Sequence, residues 1–424
     1  MQDTKPGLDD WLARLERLHP AAIELGLERV RTVRDAMGLA PAFPVIVVGG
    51  TNGKGSTCAY LEAILGAAGY KTGLYTSPHL LRYNERVRIA GVEATDRDLV
   101  AAFERVDAAR GGTTLTYFEF GTLGAMTQFV DAGVDVAILE VGLGGRLDAV
   151  NVFDAAAAAV TSVDLDHMDY LGDTREAIGF EKAGIYRAGR PAICADPAPP
   201  ASLVAHAHRI GADLRCIGRD FAALPADDRW TFRGAGLSWR ELPLPAMPGA
   251  FQLRNAAAAL AVLEALAGEL PAGEAAIRQG LAAARVRGRF ERIARAPDLI
   301  VDVAHNPEAA RTLAATLREH PVAGRTLAVV GMLADKDAAG VFAALGGEID
   351  AWWTCTPDSP RARNAEALAA ILRDYAGAAP VHVQGDVAAA LSAARGAARE
   401  GDRILAFGSF YTVAAVLDHA ATQQ

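Results

Sequence analysis

The chain has 424 residues, 51% hydrophobic and 22% charged. So much apolar surface excludes a disordered chain, and the length exceeds one ordinary core of roughly 100–200 residues, predicting two or three domains. A formal net charge of −9 excludes a nucleic-acid stripe, which needs a basic surface, and leaves room for anionic small molecules held by local positive groups.

No apolar run reaches the ~18 residues of a membrane span, since Ala256–Ala267 is broken by Glu264. Met1–Pro6 has neither a basic flank nor an apolar core, so no secretory signal is expected. Cys58, Cys194, Cys216 and Cys355 lie far apart with no Cys-x-x-Cys pair. Neither a disulfide framework nor a zinc site is expected, and a reducing, cytoplasmic setting fits. With no long exposed apolar stripe, a monomer is expected.

In chain order, Pro44–Val48 reads as a strand followed by a Gly-rich turn and a helix over Gly55–Ala68. Further strands are predicted at Val134–Val141, Ala155–Ser162, Pro191–Cys194 and Asp213–Ile217. A Pro-rich run, Leu242–Pro248, leads into an Ala-rich helix over Leu253–Leu266 and a second over Ala272–Ala284. The basic segment Arg285–Phe290 reads as a linker. Beyond it a fresh series begins, with strands at Leu299–Ala304, Arg325–Val330, Ala351–Thr356, Val381–Gln384 and Ile404–Phe407, and helices such as Ala365–Tyr375 and Val387–Arg399. Alternation of strands and helices predicts parallel sheets covered by helices. The expected fold is α/β, a mainly parallel N-terminal nucleotide-binding domain over 1–286 and a smaller Rossmann-like domain over 287–424.

The strongest motif is Gly50-Thr51-Asn52-Gly53-Lys54-Gly55-Ser56, between a strand and a helix. Such a loop cradles phosphates: glycines bring backbone N–H groups close, Lys54 supplies a point charge, and Ser56 can ligate Mg²⁺. The common loop has Ser or Thr directly after the lysine, whereas Gly55 intervenes here. A nucleotide loop needs an acid at a neighbouring strand end, and Glu140, closing Val136–Glu140 before a glycine turn, supplies it. Ser77 and His79 follow a short strand, and His167 lies among Asp164, Asp166 and Asp169. These suit a hard divalent ion, although by composition alone His167 reads more often as a surface helix-cap residue and Ser77 as a turn residue.

These stretches, with Leu18-His19, Leu25–Arg29, Tyr75–Leu80, Asn84–Val87, Thr116–Thr122, Glu140–Asn151, Asp164–His167, Phe180–Gly184, Gln252–Ala257, Gly288–Phe290, Asp302–Pro307, Leu333–Lys336 and Gly408–Tyr411, resemble the folylpolyglutamate synthase and dihydrofolate synthase ligases, of Mur ligase-like fold. The resemblance implies a P-loop ATPase domain with a C-terminal domain closing over ATP and binding glutamate. It implies that Thr51, Asn52, Gly53, Lys54, Gly55 and Ser56 hold ATP phosphates, with Asn255, Arg289, Asp302 and His305 as further ATP contacts. It assigns Ser56, Ser77, Glu140 and His167 to Mg²⁺, in two sites. It also implies a carbamate on Lys182, a residue that otherwise reads as an ordinary helix lysine. Arg17, Leu18, His19, Pro20, Thr116, Tyr117, Phe118, Glu119, Leu147, Asp148 and Ala149 match positions lining a pterin site. Without the resemblance, Tyr117 and Phe118 read as core aromatics. Gly49, Val150 and Val286-Arg287 depart from the family pattern without removing a ligand.

The implied reaction joins L-glutamate to a carboxylate with cleavage of ATP to ADP, through an acyl phosphate, because a carboxylate is unreactive toward amines at neutral pH. Lys54, Glu140, His167 and Lys182 would carry the catalysis. The expected substrates are 7,8-dihydropteroate and reduced folates. A folylpolyglutamate synthase alone, a Mur-type ligase acting on a cell-wall precursor, and an ATP-binding regulator are the other readings.

Overall fold

A computed structural model describes residues 6–421; Met1–Lys5, within the stretch read for a secretory signal, lie outside them. The chain divides into two compact units, one running up to Ala246 and including Gln252–Arg285, the other holding Met247–Phe251 and the chain from Val286 onward. The sequence expectation assigned all of 1–286 to one unit; Met247–Phe251 instead packs with the second, where the Ala250 N–H donates to Glu319 (3.2 Å).

The first unit is built on eight strands: β1 (Val45–Gly49), β2 (Thr72–Tyr75), β3 (Val87–Ile89), β4 (Val92–Glu93), β5 (Val136–Glu140), β6 (Ala157–Val160), β7 (Pro191–Cys194) and β8 (Asp213–Cys216). They lie in the order β4-β3-β2-β5-β1-β6-β7-β8. Only the pairings of β3 with β2 and β4 are antiparallel. β1 and β5 are buried at every position, as continuous Val/Ile/Leu runs in a sheet covered on both faces must be. Its helices are α1 (Leu8–Leu18), α2 (Glu28–Ala36), α3 (Lys54–Ala67), α4 (Asp96–Arg110), α5 (Tyr117–Ala132), α6 (Met168–Leu171), α7 (Arg175–Ala183), α8 (Ala201–Ile210), α9 (Phe251–Ala265) and α10 (Glu274–Ala283). Leu8, Trp11 and Leu15 repeat at helical spacing on α1, and Trp11 packs on Phe103 and Phe120.

Register positions the functional loops. Val48 of β1 lies opposite Glu140 of β5, and Gly49 lies opposite Val160 of β6. The loops leaving these three strands therefore emerge side by side at the carboxyl edge of the sheet, where open α/β folds bind ligands.

The Pro-rich run leads into α9 as expected, but a sheet that was not expected from the sequence precedes it: β11 (Ser238–Pro243), whose end opens that run, pairs with β10 (Arg229–Arg233), which pairs with β9 (Ala222–Ala226), in a three-stranded antiparallel sheet. Pro243 is tolerated at the end of an edge strand, where its carbonyl accepts from Trp230 Nε1 (3.0 Å).

The second unit holds β12 (Glu291–Ala294), β13 (Asp298–Asp302), β14 (Thr326–Val330), β15 (Ala351–Thr354), β16 (Val381–Val383) and β17 (Arg403–Phe407), in the order β12-β13-β17-β14-β15-β16. All pair in parallel except β12. With α11 (Pro307–Glu319), α12 (Ala338–Leu345), α13 (Ala365–Leu372), α14 (Val387–Ala397) and α15 (Phe410–Ala421) this is the expected Rossmann-like arrangement. Its own core gathers Ile300, Leu313, Val330, Phe342, Trp352 and Phe407. Among the described residues, no helix is long and apolar enough to cross a membrane.

Candidate active site

The glycine loop hangs from β1 and is tied to the loop after β6. Gly50 has φ +142°, and a Cβ there would lie 1.9 Å from Thr161 Oγ1, so only glycine fits. The Thr51 N–H donates to the Ser162 carbonyl (2.8 Å), its hydroxyl donates to the Asp164 carbonyl (3.0 Å), and the Asn52 N–H donates to Ser162 Oγ (3.1 Å). Gly53, at φ +87°, turns the chain into α3, and a Cβ there would meet Asn255 Oδ1 at 2.4 Å. Asn255 thus lies against the loop. Asn255 Nδ2 donates to Gln252 Oε1 (3.1 Å), and Gln252 Nε2 donates to Ser56 Oγ (3.3 Å). Gln252 fell within a matching stretch but carried no expected role. Lys54 Nζ curls back onto the Gly50 and Thr51 carbonyls, both at 3.1 Å. An ammonium parked on carbonyls at a helix N-terminus suits an anionic oxygen placed there.

Glu140 is 5% exposed, and its Oε2 accepts from the Ser77 N–H (3.2 Å). A Cβ on Gly55 would lie in ordinary van der Waals contact with this carboxylate, at 3.7 Å. Glu140, Ser77 and the start of α3 are therefore neighbours. His167 has left-handed φ (+52°) and is the N-cap residue of α6, the expected cap position, although its side chain makes no cap hydrogen bond. Among the described residues, no three His, Cys, Asp or Glu side chains converge on a metal position. The Glu140 carboxylate and the hydroxyls are hard oxygen donors that suit Mg²⁺, which takes remaining ligands from phosphates and water, while the His167 imidazole is a softer donor. Lys182, near the end of α7, is only 4% exposed. The end of α7 abuts the glycine turn after Glu140: the Arg146 N–H donates to the Glu181 carbonyl (2.8 Å), and a Cβ on Gly145 would sit 3.1 Å from the Lys182 carbonyl.

The three expected pterin stretches are joined by bonds spanning long sequence distances. The Gly26 N–H donates to the Leu147 carbonyl (3.3 Å). His19, 9% exposed, bonds Thr114 Oγ1 through Nδ1 (2.9 Å) and Glu24 Oε2 through Nε2 (2.8 Å). Arg29 grips Glu24 and reaches Glu119 Oε1 (3.0 Å). Glu119 closes a capping box on α5, accepting from the Thr116 N–H (2.8 Å) while Thr116 Oγ1 accepts from the Glu119 N–H (3.2 Å). Phe118 packs beside Tyr75 (ring centroids 5.7 Å) and over Gly142, while Tyr117 meets Tyr83 edge-on. Leu18 is half-buried, whereas Arg17 and Pro20 face solvent. Burial pushes the Asp148 carboxyl up to about 7, against N–H donors from Leu143 (2.8 Å) and Val150 (3.0 Å) that favour its anion. Ala149 follows it, also buried. Glu24 and Arg29 had no expected role: the Arg29–Glu119 link joins residues 90 positions apart and leaves no local pattern. His79 is held neutral, with a pKa near 4, by burial and by the Arg86 guanidinium, whose Nε donates to Nδ1 (2.8 Å).

Arg289, Asp302 and His305 belong to the second unit. Asp302 ends β13 and accepts from the Phe290 and Ala304 N–H groups (both 2.8 Å), with burial raising its carboxyl and Arg289 and His305 opposing that. His305 Nδ1 bonds the Val303 carbonyl (2.8 Å).

Residues 48–195 match the family described as Mur ligase middle domain, and 288–410 the Mur ligase, glutamate ligase domain. The dihydrofolate synthase/folylpolyglutamate synthase of Escherichia coli (strain K12) is 47% identical over 97% of this chain and 95% of its own. The structure of E. coli FolC in complex with DHPP and ADP aligns with TM-score 0.94 at 46% identity, covering 99% and 98% of the two chains. The bifunctional folylpolyglutamate synthase/dihydrofolate synthase from Yersinia pestis, complexed with AMPPNP and Mn ion, aligns with TM-score 0.90 at 45% identity over 99% of each.

Proposed function

Since the chain belongs to the dihydrofolate synthase/folylpolyglutamate synthase family of Mur-type ligases, we propose that its sheet edge joins L-glutamate both to 7,8-dihydropteroate and to tetrahydrofolate, with ATP cleaved to ADP. The observation that carries this reading is the β5-β1-β6 register, which sets the phosphate loop, Glu140 and the Asp164–His167 loop on one edge.

The chemistry asks for charge neutralisation and positioning. The acceptor carboxylate takes the γ-phosphoryl group, and the glutamate amine then displaces phosphate from the acyl phosphate through a tetrahedral intermediate. In this reading the loop N–H groups and Lys54 hold the phosphates, Lys54 leaving its carbonyl partners as the anion arrives. Ser56, Ser77, Glu140 and His167 hold Mg²⁺, which when bound offsets phosphate charge. Asn255 keeps the left-handed turn at Gly53 in place. Tyr117 and Phe118 give flat apolar surface to a pterin ring, with Asp148 beside them as a polar group that can donate or accept near pH 7. Arg289, Asp302 and His305 are the second unit's nucleotide contacts. A carbamate on Lys182 completes the proposal; the nearly full burial of this side chain at the glycine turn after Glu140 supports it, and short carboxylic acids should partly rescue Lys182→Ala.

The test is Mg²⁺-ATP-dependent ADP release with L-glutamate, comparing 7,8-dihydropteroate with tetrahydrofolate. Release with both is expected. Release with tetrahydrofolate alone would limit the chain to polyglutamate synthesis, and release with neither would overturn the reading.

A further inference from the structure

Four cysteines scattered through the sequence become two solitary thiols and one pair. Cys58 lies in α3 and Cys355 beyond β15, while Cys194 and Cys216 are direct register partners on the parallel strands β7 and β8. Neighbouring strands run about 4.8 Å apart, within the ~4.4–6.8 Å Cα separation that a disulfide spans. Both thiols are buried, at 0% and 5% exposure. β8 is the terminal strand of its sheet, the position from which a small oxidant gains access most readily.

The pair is wired to the proposed site. Two residues beyond Cys194, Asp196 Oδ2 accepts from the Val163 N–H (2.7 Å) and from Arg175 Nη2 (3.1 Å). The next residue, Asp164, exchanges hydrogen bonds with Thr51 of the glycine loop, its carbonyl accepting from Thr51 Oγ1 and its N–H donating to the same hydroxyl, both at 3.0 Å. Bringing two Cβ atoms to the ~3.8 Å that a disulfide needs draws the end of β7 toward β8, and Asp196 with it.

We propose that Cys194 and Cys216 form a thiol–disulfide site, oxidised by peroxides, whose closure displaces the Asp196–Val163–Thr51 connection and slows the ligase; only this last coupling rests on the reading of function above. The neighbouring Cys194 thiol and the Arg219 guanidinium lower the Cys216 thiol against its burial, making it the attacking sulfur. The Cys216 thiol gives up its proton, the thiolate attacks one oxygen of hydrogen peroxide, the O–O bond breaks, and the departing hydroxide takes up that proton and leaves as water, giving a sulfenic acid. The Cys194 sulfur then attacks the Cys216 sulfur and displaces hydroxide, which takes up the Cys194 proton as a second water. Two thiols lose two electrons, and one peroxide gains them.

The experiment treats the reduced full-length protein with hydrogen peroxide, maps its peptides without reduction, and follows ADP release before and after dithiothreitol. A linked Cys194–Cys216 peptide is expected, with loss of more than half of the rate and recovery on reduction. Cys216→Ser and Cys194→Ala are expected to start at the wild-type rate and to lose little of it to peroxide. Free thiols at both positions after treatment would overturn the site, and this map needs no variant to fold. A linked peptide with an unchanged rate, or equal loss in the variants, would overturn the coupling. Absent ADP release in the untreated protein would count against the ligase reading alone.

Discussion

At the scale of single residues, the candidate site is a set of side chains kept apart from their usual solvation. Lys54 is the clearest case, its ammonium resting on the Gly50 and Thr51 carbonyls. Lys54→Ala removes the charge proposed to meet the transferring phosphoryl group and no core packing, so turnover is expected to fall by about 10²-fold with the fold retained. Near-normal ADP release from a folded variant would refute the assignment. Asp148 makes a prediction of a different kind. The folded protein holds its carboxyl at about 7, whereas the unfolded chain releases that proton near 3.8. Between these limits the native state binds the extra proton, so this contribution to stability is whole below about pH 4 and is lost as pH rises toward 7. Asp148→Asn stays neutral throughout. Its melting temperature relative to wild type should therefore climb across that window, and a pH-independent difference in calorimetry would show that the carboxyl stays ionised. Lys182 marks where residue-level reading stops: nothing local separates it from a surface helix lysine until α7 is docked on the turn after Glu140.

At the scale of elements, legibility followed burial. β1 and β5 are apolar at nearly every position and bounded by Gly, so their positions could be read directly. β9, β10 and β11 escaped, because a half-solvated antiparallel sheet alternates, and Arg229–Arg233 carries charges at both ends around buried Trp230 and Phe232. The polar links that gather the proposed pterin stretches, Arg29 to Glu119 above all, join separate helices and have no sequence period. Helix contact was equally hidden. α10 packs on the phosphate-loop helix α3 through Gly280, where a Cβ would lie 2.5 Å from Ile64 Cγ1 and 2.6 Å from the Ile64 backbone. Because backbone cannot swing aside, Gly280→Ala should destabilise the protein by about 1–3 kcal/mol in urea unfolding, despite the better helix propensity of alanine. The same displacement acts on the helix that begins at Lys54, so KM for ATP should rise. A neutral or stabilised variant would mean that the two helices separate freely.

At the scale of the whole molecule, a chain of net charge −9 is proposed to bind ATP, a folate and glutamate, all anions. Its general field opposes them, so affinity has to come from fixed local donors and from the metal. The two units have separate cores, so heating should give a transition that departs from a single two-state step. Ligand saturation then reports on the unit that holds the loop. A ligand at a hundredfold excess over its Kd stabilises by about 2.7 kcal/mol, enough to shift a transition by a few degrees. A non-hydrolysable ATP analogue with Mg²⁺ should raise the melting temperature more than the analogue alone, and chelation should remove the difference. Glu140→Ala should abolish that Mg²⁺-dependent increment while keeping the part due to the nucleotide, because the loop N–H groups and Lys54 remain. An increment of the same size in wild type and Glu140→Ala would place the metal elsewhere and break the link between the β5 carboxylate and the phosphate loop.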